Sequence, residues 1–449
     1  MKLSAVSLGV LSLCVSLVAS SQQDEFHPSS ETFAEPEHHH LELPASNEAP
    51  KHDHVQLPSG QAQEDPTSYF PWTHKPICTK DADDDPEDQF CVYTNASFSN
   101  GRGISIFTRP AIAREFASLP PFQDPTALSS NGINLDSNAK DLPWYTAFVP
   151  GKGMGMFASR PLHRGDLITA YTPCLVTHIG DLRFTDDRER MLRLAINQLP
   201  PATTDAYLAL AKVYDEPEVV AQDILKANGF EMKLGDLMHP AVFPEASRYN
   251  HACAPNAQYF LSASMLTHYV HAVRPIAKDE EITISYAPPL RLRADRQNHM
   301  QSIFQFTCTC ERCSSGSHTA RESDKATQDI VNLQWELDRS QRGDRDAPGP
   351  GGVSVKKAEQ LVALYKAEGL DGFLDTAYGY AALAYNTVGG TRGAMKYARL
   401  AAEATRLRYP VDEEGVGLQK VREWEGMARD PMGHPSWRNS NRNRQKRST

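Results

Sequence analysis

Three cysteines crowd into the short run Cys308-Thr309-Cys310-Glu311-Arg312-Cys313, and a fourth, Cys253, stands well upstream. Four thiolates are the ligand set that a closed, tetrahedral structural zinc prefers. The same residues could form disulfides in an oxidising compartment, although the three close ones are too crowded to pair comfortably. Cys253 lies in the stretch Arg248 to Asn256, RYNHACAPN, where an amide (Asn250), an imidazole (His251) and a thiol share one loop. That combination suits ligand binding, yet it also suits an ordinary polar turn. Two further segments carry chemistry. In GKGMG, Gly151 to Gly155, the missing side chains of Gly151 and Gly153 let the backbone approach a ligand closely, as they also would in a plain hairpin. DEEITISY, Asp279 to Tyr286, is a strand-like run ending on a tyrosine, which taken singly reads as core.

In this order the four segments resemble the SET-domain protein-lysine methyltransferases that carry a post-SET cysteine motif, over roughly residues 142–316. The inserted helical segment and helical C-terminal region are similar to the SET and MYND-domain group, in a fungal-type form without its MYND zinc finger. The resemblance implies transfer of a methyl group from S-adenosylmethionine to a lysine of a protein or peptide substrate. It gives Lys152, Gly153 and Met154 to the cofactor's amino-acid end, Asn250 and His251 to its carboxylate and adenine ends, and Phe306 to the adenine face. It makes Tyr286 the catalytic residue and Cys253, Cys308, Cys310 and Cys313 the ligands of Zn2+. The family usually reads Asn-His-Ser-Cys where this chain has Ala252, a small residue in place of a small residue.

The chemistry agrees with those assignments. A lysine with a pKa near about 10.4 must lose its proton before attacking, so the site has to desolvate it in a narrow apolar channel. The Tyr286 hydroxyl then orients the amine. Glu280 and Glu281 read as turn and strand residues, since the reaction needs no carboxylate proton shuttle. A rival reading is a catalytically inactive SET scaffold whose helical domain binds peptides; a third is a secreted, zinc-stabilised structural protein.

The elements that must position these residues give an α+β fold: a β-rich SET fold with an inserted helical segment, a zinc-bound post-SET loop and a helical, repeat-like C-terminal domain. Gly- and Pro-broken runs from about 142 predict short strands, with Arg164-Gly165-Asp166 at a hairpin turn. Residues 186–236 carry helical spacing, and strand patterns return at AQYFLSA, HYVHAVRPI and EEITISY. Ile330, Leu333 and Leu337 mark one helix. A second is capped by Ser354 and stopped at Gly369; two more run over 373–388 and 394–409, with alternating Ala and Tyr of tetratricopeptide type. The expected organisation is a signal peptide (1–20), a disordered acidic and His-rich segment (21–75), an N-terminal flanking region (76–141), the SET domain (142–286), the post-SET segment (287–316), the helical domain (320–428) and a basic tail (429–449).

The remaining expectations follow from composition. At 449 residues with 40% hydrophobic side chains the chain can bury more than one core, and its net charge of -10 argues against a nucleic-acid partner. The leader MKLSAVSLGVLSLCVSLVAS, with a small-residue cleavage site at Val18-Ala19-Ser20, implies a secretory address; a nuclear or cytoplasmic one follows if it is not used. No second stretch is apolar enough to span a membrane. Asn95-Ala96-Ser97 is then a glycosylation acceptor, and Cys78 and Cys91 a disulfide pair.

Overall fold

A computed structural model describes residues 69–79, 87–134, 141–178, 185–234, 237–314, 316–342, 354–409 and 415–437. The leader, most of the acidic segment, the linker at 343–353 and the end of the basic tail lie outside the described residues.

Among the described residues the strands are β1 (Ile77–Cys78), β2 (Cys91–Asn95), β3 (Ile104–Thr108), β4 (Trp144–Val149), β5 (Gly153–Ala158), β6 (Leu167–Tyr171), β7 (Leu175–Thr177), β8 (Gly229–Leu234), β9 (Leu237–Val242), β10 (Asn250–His251), β11 (Ala257–Ser262), β12 (Thr267–Ala272) and β13 (Glu281–Ile284). They form a six-stranded sheet ordered β1-β2-β3-β7-β9-β8, a four-stranded sheet β10-β13-β5-β4 and a three-stranded sheet β11-β12-β6. Their inner faces share one core that includes Ile104, Phe116, Met156, Tyr249, Val270 and Ile282. Cys78 faces Cys91 across β1 and β2, and the two are joined by a disulfide.

Three expectations change. The 186–236 segment is helical over Thr185–Asn197, Pro201–Leu208 and Val220–Asn228, but then becomes β8. There Phe230, Met232 and Leu234 alternate inward and pair with β9, so the two-residue period wins over the helical spacing before it. The disordered reading of 21–75 fails from Tyr69 onward: Trp72 is buried, 5.4 Å from the Tyr93 ring and 5.3 Å from that of Phe122. Arg164-Gly165-Asp166 is a turn but not a hairpin, because β5 and β6 belong to different sheets. Its arginine instead crosses to the helical domain, with Nε 3.1 Å from Glu403 and Nη1 bonded to the Val273 carbonyl.

The C-terminal region is built of helices Ser317–Arg342, Val355–Ala367, Leu374–Thr387, Thr391–Arg408 and Val416–Arg429. The Ser354 side chain accepts from the Lys357 amide as the expected cap, and Gly369 takes a φ of +66° just beyond the helix end. Alanines let the middle helices approach closely, and Tyr378 and Tyr385 meet Tyr397 at 6.2 and 5.7 Å. The last helix, which alternation of Ala and Tyr did not announce, sets Trp424 against Gly379, where an added Cβ would fall 2.8 Å from the indole. Residues 431–437 of the expected tail also pack: Asn386 Nδ2 donates to Ser436 Oγ at 2.8 Å.

Candidate active site and metal centre

The RYNHACAPN stretch is held under the DEEITISY strand by a short parallel pairing. Asn250 lies opposite Thr283 and His251 opposite Ile284. Asn256 completes the staple: its Nδ2 donates to the Glu281 carbonyl at 2.9 Å and its Oδ1 accepts from the Thr283 amide at 2.8 Å. On the other side of β13 runs β5, with Glu281 opposite Phe157 and Ile282 opposite Met156. One small sheet therefore gathers the glycine loop at the β4–β5 turn, the Asn-His pair on β10 and the tyrosine just past β13.

Gly151 and Gly153 have φ of +77° and +80°, and a Cβ added at either would meet nothing within 4 Å. The loop thus presents bare backbone to open space, which is the opportunity a ligand's polar end needs. Beneath it Glu281 joins two of the expected cofactor residues: Lys152 Nζ lies 2.8 Å from Oε2, and Asn250 Nδ2 donates to Oε1 at 2.7 Å. Gly155 sits inside β5 against this pair. A Cβ there would lie 3.0 Å from Asn250 Nδ2 and 3.1 Å from Glu281 Oε1.

The His251 ring is buried and engaged at both nitrogens. Nδ1 accepts from the Tyr286 amide at 3.0 Å, so Nε2 carries the hydrogen, which points at Cys253 Sγ 3.3 Å away. Burial lowers its pKa to about 4, which keeps it neutral.

Cys253, Cys308, Cys310 and Cys313 bring their sulfurs within 4.8 Å of one another, with none of them bonded in a disulfide. Zn–S bonds of about 2.3 Å in a tetrahedron imply sulfurs about 3.8 Å apart, and Cys253 and Cys313 sulfurs are 3.6 Å apart. Two buried cations flank the cluster. Arg296 is 1% exposed, and its Nε and Nη2 find no hydrogen-bond partner. Burial works against its charge, but the Cys253 and Cys313 sulfurs more than offset this. Only Nη1 is satisfied, by the Arg291 carbonyl at 2.5 Å, and a buried guanidinium so sparsely bonded is costly unless anions surround it. A divalent ion on four thiolates leaves two negative charges, which answer that need. Arg312, between two of the ligands, donates through Nη1 to the Cys253 carbonyl at 3.1 Å and the Pro289 carbonyl at 3.2 Å. Gln297 clasps Cys308 by both its amide (2.9 Å) and its carbonyl (2.7 Å).

Tyr286 stands between this cluster and a small cavity. Its ring centroid is 5.3 Å from His251 and 5.1 Å from Phe304, and its hydroxyl donates to the Tyr249 carbonyl at 2.5 Å. Burial pushes the phenol pKa well up, so the hydroxyl keeps its proton. The cavity, about 30 Å³, is walled by Phe230, Ala246, Tyr259, Ile284, Tyr286 and Phe304. Phe306 is half-buried in the cysteine cluster, 6.4 Å from the His251 ring. Lys152 and Asn250 thus meet at Glu281, while His251, Tyr286 and Phe306 meet beside the four cysteines. Glu281, Arg296, Arg312, Phe230, Tyr259 and Phe304 were not expected there.

Residues 153–287 match the family model described as SET domain. Human N-lysine methyltransferase SMYD2 is 32% identical over 111 residues, which is 24% of this chain and 24% of that protein. Histone-lysine N-methyltransferase set5 of Schizosaccharomyces pombe is 28% identical over 166 residues, covering 37% of this chain and 49% of that protein. SMYD2-A of Danio rerio, also an N-lysine methyltransferase, is 33% identical over 102 residues, 22% of each chain. The chain spans about a quarter of the length of the SMYD2 proteins it matches. It therefore carries a SET domain, over residues 153–287, of the kind found in protein-lysine methyltransferases.

Proposed function

We propose that this chain is a protein-lysine N-methyltransferase that uses S-adenosylmethionine, with a structural zinc in its post-SET segment. The observation that carries the reading is the position of Tyr286, with the His251 ring on one side and an aromatic cavity on the other. S-adenosylmethionine, when bound, supplies a methyl group on a sulfonium centre. The Gly151–Gly153 backbone, Lys152 and Asn250 are placed to hold its amino-acid end, and the Phe306 ring its adenine. Phe230, Tyr259 and Phe304 strip water from an entering lysine, which favours the neutral amine. They also hold it on one line of approach, and such orientation supplies much of the rate. The Tyr286 hydroxyl keeps its proton on the Tyr249 carbonyl, and its oxygen lone pairs are available to orient the amine and make weak contacts to C–H groups. Cys253, Cys308, Cys310 and Cys313 would hold zinc, which fixes Phe306 and Tyr286 relative to each other.

The test is direct. Full-length protein incubated with methyl-labelled S-adenosylmethionine and a protein extract should yield labelled methyllysine on hydrolysis. Titration calorimetry should show one cofactor per chain by the single-site geometry. Cofactor binding without methyllysine, across diverse extracts, would favour the inactive scaffold.

A further inference from the structure

His251 touches both halves of the site with one ring. Its Nδ1 takes the Tyr286 amide at 3.0 Å and its Nε2 faces Cys253 Sγ at 3.3 Å, while the ring is 6% exposed between those of Tyr286 and Phe306. We infer that His251 is a positioning residue that ties the placement of Tyr286 to metal occupancy of the four-cysteine site. The inference takes from the proposed function only the presence of zinc.

A neutral imidazole has one ring hydrogen. Because Nδ1 accepts, Nε2 must donate, and sulfur is the acceptor it has been given. A metal-bound thiolate is a strong acceptor for that N–H. Without the ion nothing fixes the Cys253 sulfur, 3.6 Å from that of Cys313, in the place that receives this N–H. Metal loading therefore locks the ring in this tautomer and orientation, as partners beyond the ligands do in other metal sites. Polarisation along such a chain strengthens the second bond, from Tyr286 N–H to Nδ1. That amide belongs to Tyr286, which lines the cavity. Loss of the metal frees the ring to turn and releases the Tyr286 backbone. Ala252 passes beside this path with its amide on the Ile284 carbonyl at 3.0 Å, so the rest of the turn remains anchored to β13 while the ring moves.

Two variants separate the arms of the ring. In His251→Asn the amide oxygen can occupy the place of Nδ1, keeping the Tyr286 bond and losing the sulfur contact. In His251→Gln the amide nitrogen can reach the place of Nε2, keeping the sulfur contact and losing the acceptor. Full-length parent and both variants are compared with zinc loaded and stripped, by chelator competition for zinc affinity and by hydrogen exchange at the Tyr286 amide. In the parent, that amide should be protected when loaded and exchange faster when stripped. His251→Asn should weaken zinc on the order of 10-fold or more. His251→Gln should retain zinc better than His251→Asn, while its Tyr286 amide exchanges fast with or without metal. In transfer assays the same variant should lower kcat with little change in cofactor Kd.

Equal protection of the parent amide with and without zinc would overturn the inference, whatever the variants do. So would zinc-dependent protection that survives in His251→Gln. Neither metal affinity nor amide exchange depends on methyl transfer, so a failure of the enzymatic reading would be seen separately, as missing methyllysine with both readouts intact.

Discussion

Arg312→Met should sever the metal loop from the helical domain, and the structure sets the size of the effect. The Arg312 and Glu368 side chains are 7% and 10% exposed, with Nη2 and Oε2 2.8 Å apart. Nε donates to the same oxygen at 2.9 Å and Nη2 to Thr327 Oγ1 at 3.0 Å. Breaking a buried pair by removing one partner costs about 3–5 kcal/mol, because the other charge stays buried without compensation. Ser323 Oγ still donates to Glu368 at 2.5 Å, which points to the lower end, about 3 kcal/mol. The orphaned carbonyls of Cys253 and Pro289 add to this, and zinc should bind more weakly as well. Arg312→Met/Glu368→Leu removes the stranded carboxylate and should recover a large part of the loss. The assay is denaturant unfolding of zinc-loaded protein, followed by intrinsic tryptophan fluorescence, to which Trp335 and Trp424 of the helical region contribute. A single-variant loss below about 1 kcal/mol, the value of an exposed pair, would refute the reasoning. A double variant no more stable than the single one would refute it too.

Acid should destabilise the fold steeply. Burial lowers His239 and His271 to about 4 and His268 to about 3, from an ordinary value of 6.5, so their stability contribution is intact above that value and drains away as pH falls toward the folded values. Together they would remove up to about 4 kcal/mol per pH unit once well below the ordinary value; a melting temperature unchanged between neutral pH and pH 5 contradicts this. Gly155→Ala sets a Cβ 2.7 Å from Val149 Cγ2 and 3.0 Å from Asn250 Nδ2, so it should cost about 1–3 kcal/mol of stability by overpacking and, by shifting Asn250, weaken cofactor binding as read by calorimetry. An unchanged Kd would show that the Asn250–Glu281 contact does not shape the cofactor site. The leader predicts mature protein beginning at Ser21, and recovery of the intact N-terminus from native cells would return the address to the nucleus or cytoplasm. A glycan on Asn95 would have to accommodate a side chain that is half-buried and donates from Nδ2 to the Pro71 carbonyl at 2.7 Å.

What the sequence made legible was local chemistry. Cys308, Cys310 and Cys313 announce a thiol cluster by spacing, and Ser354 and Gly369 announce a helix by capping, because those signals lie within a few residues. Glu281 looked like strand filler, since its partners Lys152 and Asn250 reach it only after β5, β13 and β10 align. Arg296 gave no sign of its role either: a charged residue on a helix is normally solvated, and only the fold turns it toward the sulfurs. The cavity wall was hidden for the same reason, with Phe230 on β8, Tyr259 on β11 and Phe304 at a helix end. The Arg164-Gly165-Asp166 turn was placed correctly, but whether its flanking strands pair is decided by sheet assignment far away.

Tyr286 is the residue on which methyl transfer depends in the proposed reaction. The single measurement that tests it is methyl transfer by zinc-loaded Tyr286→Phe, with cofactor binding measured on the same preparation. The ring, and hence its packing against His251 and Phe304, is retained, so S-adenosylmethionine should bind with an unchanged Kd. The hydroxyl is lost, so transfer to lysine should fall on the order of 100-fold or more, the scale of one oriented group at a transition state. Transfer at the parent rate would show that the Tyr286 hydroxyl is not the catalytic group.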